Sequence, residues 1–208
     1  MKTVFSIIVM LIFIPCLNIF AHAEKHQFTI SVGYVQPLFN IKKMGNEFFA
    51  PGIGQEWEDI IGLKQVGGTY FISGSFGFVK IKNITLEAEA SYWQKKIMTK
   101  PESYDFIDVR NFFSDISLGV NGIWKLKRKM MNPFLGGGIS FHFLKAEINP
   151  VQYPELSRSA SKNKIMLSVL GGSEFILSKK LSMHVSARFD IHANLNQWKL
   201  HAGLAYYP

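Results

Sequence analysis

Hydrophobic and polar residues alternate along this chain with a period of two, in one segment after another. From 181 to 192, Leu181, Met183, Val185, Ala187, Phe189 and Ile191 fall on one side of an extended backbone. Ser182, His184, Ser186, Arg188, Asp190 and His192 fall on the other. A helix would scatter both sets around its axis, whereas a strand separates them. The same alternation predicts strands over 28–34, 70–78, 84–93, 115–124, 135–143, 164–177 and 198–207. Segments 38–67, 95–111 and 146–163 read as long loops, with a short turn of helix expected near 57–63. Segments 80–83, 125–132 and 178–180 read as short basic turns, and 194–196 as a tight one. About eight strands of roughly ten residues, joined hairpin by hairpin, make the fold all-β. The simplest closure is an eight-stranded antiparallel up-and-down β-barrel.

Alternation alone leaves open which face is inside. A lipocalin-like barrel turns its apolar face inward, and a membrane barrel turns it outward. Three features favour the transmembrane form. Long and short connections take turns, as outer loops and periplasmic turns do in a membrane barrel. The polar face carries Glu87, Glu89, Asp115, His142, Glu174, His184, Arg188, Asp190 and His201, too many ionisable groups for a dry core. Large aromatics (Tyr34, Tyr70, Tyr92, Trp93, Trp124, Phe143, Trp198 and Tyr206) fall towards strand ends, as interfacial girdles do.

Composition adds an export route. The chain has 208 residues, 48% of them hydrophobic, enough for one folded domain. Part of that hydrophobicity is a leader: Met1-Lys2, an apolar run through Phe20, then Ala21-His22-Ala23. Residues 1–23 therefore read as a secretory signal peptide and 24–208 as the barrel. Cys16, the only cysteine, lies inside that leader, so the mature chain is expected to have no disulfide, zinc-thiolate site or cysteine nucleophile. No later segment has the ~18 apolar residues of a membrane helix, so a membrane location requires a barrel.

The leader, the eight alternating strands, the sorted loops and the aromatic-rich terminal strand from Trp198 to Tyr207 resemble the small outer-membrane β-barrels of the OmpA and OmpX type. The resemblance is architectural and covers nearly all of residues 26–208. It implies a bacterial outer-membrane location after export, contact with outer-membrane lipid and lipopolysaccharide, and assembly by the barrel-insertion machinery. In that group the chain usually ends on an aromatic residue. Here Pro208 follows Tyr207, which shifts or weakens that signal.

The net charge of +8 comes largely from the basic turns, Lys80 and Lys82, Lys125 to Lys129, and Lys179-Lys180. No aromatic stacking platform lies between them, so they read as solvated turns near anionic headgroups and not as a nucleic-acid surface. Glu87, Glu89, Asp115, Glu174, His184, Arg188 and Asp190 share the inward side and are expected to form a charge network, since isolated charges there would be costly. The element His184-Val185-Ser186 resembles the His-x-Ser of the lipid A deacylases, but no glutamate follows Glu174 to complete a triad, and both side chains face the lumen. Six histidines, one in the leader and the rest scattered, show no metal-ligand spacing. No catalysis, metal or cofactor is expected. Function is expected in the long loops, as surface interaction or envelope integrity, with Phe48, Phe49, Trp57, Tyr104 and Tyr153 as contact candidates for a host or surface ligand. A narrow channel or small-ligand transporter is the alternative, and a lipid-modifying enzyme the third.

Overall fold

A computed structural model describes residues 26–48, 62–101 and 107–208, the side chain of Glu47 excepted. Eight strands, β1 (Gln27–Pro37), β2 (Thr69–Ile81), β3 (Ile84–Thr99), β4 (Val109–Lys125), β5 (Met131–Pro150), β6 (Arg158–Ile176), β7 (Leu181–Ile191) and β8 (Gln197–Tyr206), pair in chain order. The sheet closes by antiparallel pairing of β1 with β8, from Phe28↔Tyr206 to Pro37↔Gln197. The barrel is therefore all-β, antiparallel and up-and-down, as the alternation requires. The pair Lys82-Asn83 joins β2 to β3, with Lys82 at φ 54°, in the left-handed region that favours glycine. A bulge between Gly77 and Val79 shifts the β2–β3 register.

Burial settles which face is inside. Ile30 is 67% exposed and Leu135 62%, while Asp190 and Lys199 are fully buried. The barrel is apolar outside and polar within, so its outer belt suits hydrocarbon and would be an oversized apolar patch in water. On β5 that belt runs from Leu135 to Phe143, close to the ~9–11 residues of a tilted membrane strand.

β3, β4 and β5 continue past this belt at the long-loop end, and there the two faces exchange character. On β4 the outward residues change from Ile116, Leu118 and Val120 to Arg110 and Ser114, while the inward ones change from Asp115 and Ser117 to Phe113 and Val109. On β5 the outward Phe141 gives way to Lys145, and the inward His142 to Leu144, Ala146 and Ile148. Much of 95–111 and 146–163, expected as loop, is thus strand with the opposite polarity. The connections shrink to 100–108 and 151–157, the latter holding a 3-10 turn at Pro154–Leu156.

The inward apolar residues of this extension receive a helix, α1 (Ile41–Phe48). Asn40 accepts a hydrogen bond from the Lys43 backbone N–H at 3.1 Å, capping the first turn. Ile41, Met44 and Phe48 recur at helical spacing and pack with Val35, Phe39, Phe71, Trp93, Val109, Phe113 and Leu195. Backbone bonds from Leu38 to Asn196 (2.8 Å) and from Ile41 to Lys64 (3.1 Å) tie the segment down. The helix expected near 57–63 falls almost wholly outside the described residues, as does the leader.

Candidate functional site

The lumen is built by alternation. Arg188 and Asp190 are two residues apart on β7, both inward, and Arg188 Nε donates to Asp190 Oδ1 at 2.5 Å. Arg188 Nη1 donates to Glu89 Oε2 of β3 at 2.6 Å. Lys199, opposite Arg188 on β8, places Nζ 3.1 Å from Asp190 Oδ2 and donates to Ser91 at 3.3 Å. Asn121 donates to Glu89 at 2.7 Å. Two cations and two carboxylates, all nearly out of solvent, therefore alternate across the barrel with no net charge. That is the condition under which buried charge is tolerated.

On the α1 side of this cluster, Gln197 connects three strands. Its Nε2 donates to Asp115 and to Asp190, each at 3.1 Å, and its Oε1 accepts from Trp93 Nε1 at 3.1 Å. His142 Nδ1 lies 2.7 Å from Asp115 Oδ2, and its Nε2 lies 2.9 Å from Ser140 Oγ. This Ser–His–Asp chain has the connectivity of a hydrolytic triad. Ser140 and His142 are 1% and 0% exposed, however, so the chain is closed to a substrate from solvent. Its geometry serves to bond buried polar groups.

A second cluster lies near the short turns, around Glu174 of β6. The carboxylate accepts from Lys125 (3.3 Å), Asn132 (3.4 Å), Ser182 (2.6 Å) and the Tyr207 hydroxyl, and Lys125 also donates to Gln27 at 2.9 Å. Burial, and after it the adjacent Glu174 carboxylate, pushes the Tyr207 phenol above its ordinary range, so it remains a donor. Between the clusters is a cavity of about 50 Å³, whose lining includes Ser73, Glu87, His184 and Ser186. Ile123, Phe134 and Leu170 form an apolar patch on its wall.

No protein-family model and no curated protein matches the sequence. Among solved structures, the chain is similar to Neisserial surface protein A, at 13% identity over 87% of this chain and 96% of that one, with a TM-score of 0.55. It is similar to the outer membrane protein OprG from Pseudomonas aeruginosa, at 10% identity over 89% and 98%, with a TM-score of 0.56. It is also similar to the N-terminal β-barrel domain of Pseudomonas aeruginosa OprF, at 10% identity over 90% and 100%, with a TM-score of 0.53. The chain has the fold of the small outer-membrane β-barrels. At these identities the likeness is one of fold.

Within this barrel the seven lumen residues singled out from sequence divide. Glu89, Arg188 and Asp190 meet in the first cluster, Asp115 is linked to it through Gln197, and Glu174 centres the second. Glu87 accepts from Ser75 at 3.2 Å, and His184 pairs with Ser31 at 3.1 Å, so neither joins the Arg188 network. His184 and Ser186 share the cavity lining. Lys199, Gln197, His142 and Lys125 complete the clusters and were not among the seven. All four stand at inward positions of the alternation, which is the signal that could have found them. Lys125, read as a turn lysine, is the last residue of β4 and points inward beside Glu174.

Trp93 is corrected from girdle to lumen. Neighbours in a strand face opposite sides, so Tyr92 and Trp93 cannot both meet lipid, and Trp93 is 2% exposed. The girdle itself appears in Tyr34, whose ring lies 6.3 Å from Tyr70 and 5.8 Å from Trp198, with Tyr92 nearby on β3. Of the loop candidates, Phe48 is buried against the α1 cluster and so packs the loop instead of presenting itself. Tyr153 is exposed. Phe49, Trp57 and Tyr104 lie outside the described residues. Among the described residues no group of three or more His, Cys, Asp or Glu could hold a metal ion.

Proposed function

We propose that the protein is an exported, non-enzymatic bacterial outer-membrane barrel whose lumen is largely filled and whose long-loop end serves surface interaction or envelope integrity. Residues 1–23 act as the leader, and lipopolysaccharide and outer-membrane lipid surround the apolar belt. The barrel-insertion machinery delivers it to that membrane. The observation that carries this reading is the neutral cluster of Glu89, Arg188, Asp190 and Lys199 spanning the lumen, with the α1 apolar cluster stacked above it. Glu87 and His184 line the space beneath it, and Glu174 ties the strands at the opposite end. Tyr153, together with Phe49, Trp57 and Tyr104, supplies contact surface for a host or envelope ligand.

The cavity below Arg188 supports a second reading, a narrow channel. Planar-bilayer recording separates the two. A filled barrel gives no discrete conductance steps, whereas regular unitary steps from the native protein would replace this reading with the channel.

A further inference from the structure

All three short connections end at the mouth opposite α1, where they surround a vestibule of about 540 Å³. Lys82 comes from the first turn, Lys127 and Arg128 from the second, and Lys179 and Lys180 from the third, with Lys125 on the floor. Glu174 is the one carboxylate side chain in this lining among the described residues, and four donors already share it. It offsets Lys125 and leaves the cations of the rim facing one concavity with no second acidic side chain in the lining among the described residues.

The rim is held by its own hydrogen bonds. Lys125 N–H donates to the Asn83 carbonyl at 2.8 Å, and Arg128 N–H to Asn132 Oδ1 at 2.8 Å. Ser178 Oγ accepts from Lys180 and Leu181 N–H at 3.3 and 3.1 Å, and Tyr207 N–H reaches the Lys180 carbonyl at 2.9 Å. Exposed cations carried by turns held around one concave mouth repel one another and raise the local positive potential, and an anion placed among them reverses the sign of that energy. Because they come from three separate turns around one vestibule, an extended anion carrying several phosphates suits them better than a single small anion.

We propose that this mouth binds a phosphate-bearing oligoanion, supplied free from the aqueous side or as clustered phosphate headgroups of the adjacent leaflet. The site lies at the end opposite the long loops and stands independently of what those loops contact.

The test titrates tripolyphosphate into the purified full-length barrel in uncharged detergent, followed by calorimetry. Saturable binding that weakens as sodium chloride rises is expected. It should fall by at least about tenfold in a Lys82→Gln/Lys127→Gln/Arg128→Gln/Lys180→Gln variant. It should be unchanged in a Lys96→Gln/Arg110→Gln/Lys145→Gln variant, which removes exposed cations at the far end. Gel mobility before and after boiling establishes that each variant is folded. In phosphatidylcholine nanodiscs binding of tripolyphosphate to the native protein is expected to persist. If phosphatidylglycerol added to the nanodisc competes with it, headgroups are the source, and if it does not compete, the free anion is. Absence of saturable binding by the folded native protein, or equal weakening in both variants, overturns the proposal.

Discussion

Arg188 is the residue on which most of the lumen chemistry converges. It contacts Glu89, Asp190 and Ser140 from three different strands, at 2.6, 2.5 and 3.4 Å. Arg188→Ala leaves two nearly buried carboxylates competing for Lys199 alone, and breaking a buried pair in this way costs about 3–5 kcal/mol. The urea midpoint of the refolded protein is expected to drop accordingly. A double variant, Arg188→Met with Glu89→Gln, should lose less, because it removes a charge of each sign. A double variant as damaged as the single one would show that packing, and not charge balance, sets the effect. At this scale the sequence was informative about direction and uninformative about partners. Alternation put Glu89, Asp190 and Arg188 on one face, but whether Glu87 or Glu89 meets Arg188 depends on the level along the barrel axis at which each lies, which the registers accumulated around the closed wall decide. Nothing local to Glu87 distinguishes it from Glu89.

At the scale of elements, the lesson lies in β3, β4 and β5. The alternation places their ends where the outward positions cease to be apolar, near Lys95 and Ala146. The pattern does not stop; it slips by one residue without a bulge. Past the lipid belt the outer face meets water and the inner face meets α1, so the apolar set moves from outward to inward positions. α1 itself was legible in principle, through Asn40 as a cap and Ile41, Met44 and Phe48 at helical spacing, but eight residues give a weak periodic signal. Its stability comes from the cluster it enters. Met44→Ala should cost about 2–5 kcal/mol of local stability. Amide exchange over Ile41–Phe48 is expected to accelerate while the β1–β8 ladder keeps its protection. Loss of protection throughout the barrel would mean instead that α1 holds the wall together.

At the scale of the whole molecule, a closed ladder with no free edge and an apolar exterior should resist detergent until heated. The unboiled protein from outer-membrane fractions is expected to migrate differently on a gel from the boiled protein. Recovery as a soluble periplasmic protein without detergent would contradict the outward apolar belt. Connections alternate between the two mouths of an up-and-down barrel, so the three expected as long share the α1 end and the three expected as short share the other, although much of 95–111 and 146–163 is strand.

The sequence by itself determined that the chain forms alternating strands with one apolar and one charged face, because a two-residue period is a property of the extended backbone and needs no partner. It also determined that the charged face cannot be an apolar core, since so many ionisable groups require compensation. Which charges compensate one another, that Trp93 meets Gln197 across the lumen, and that a helix covers the upper lumen were decided only by closure of the barrel. Ring closure sets the distance between strands far apart in sequence, such as β3 and β7, and the environment of each level along the wall decides which of its two faces has to be apolar.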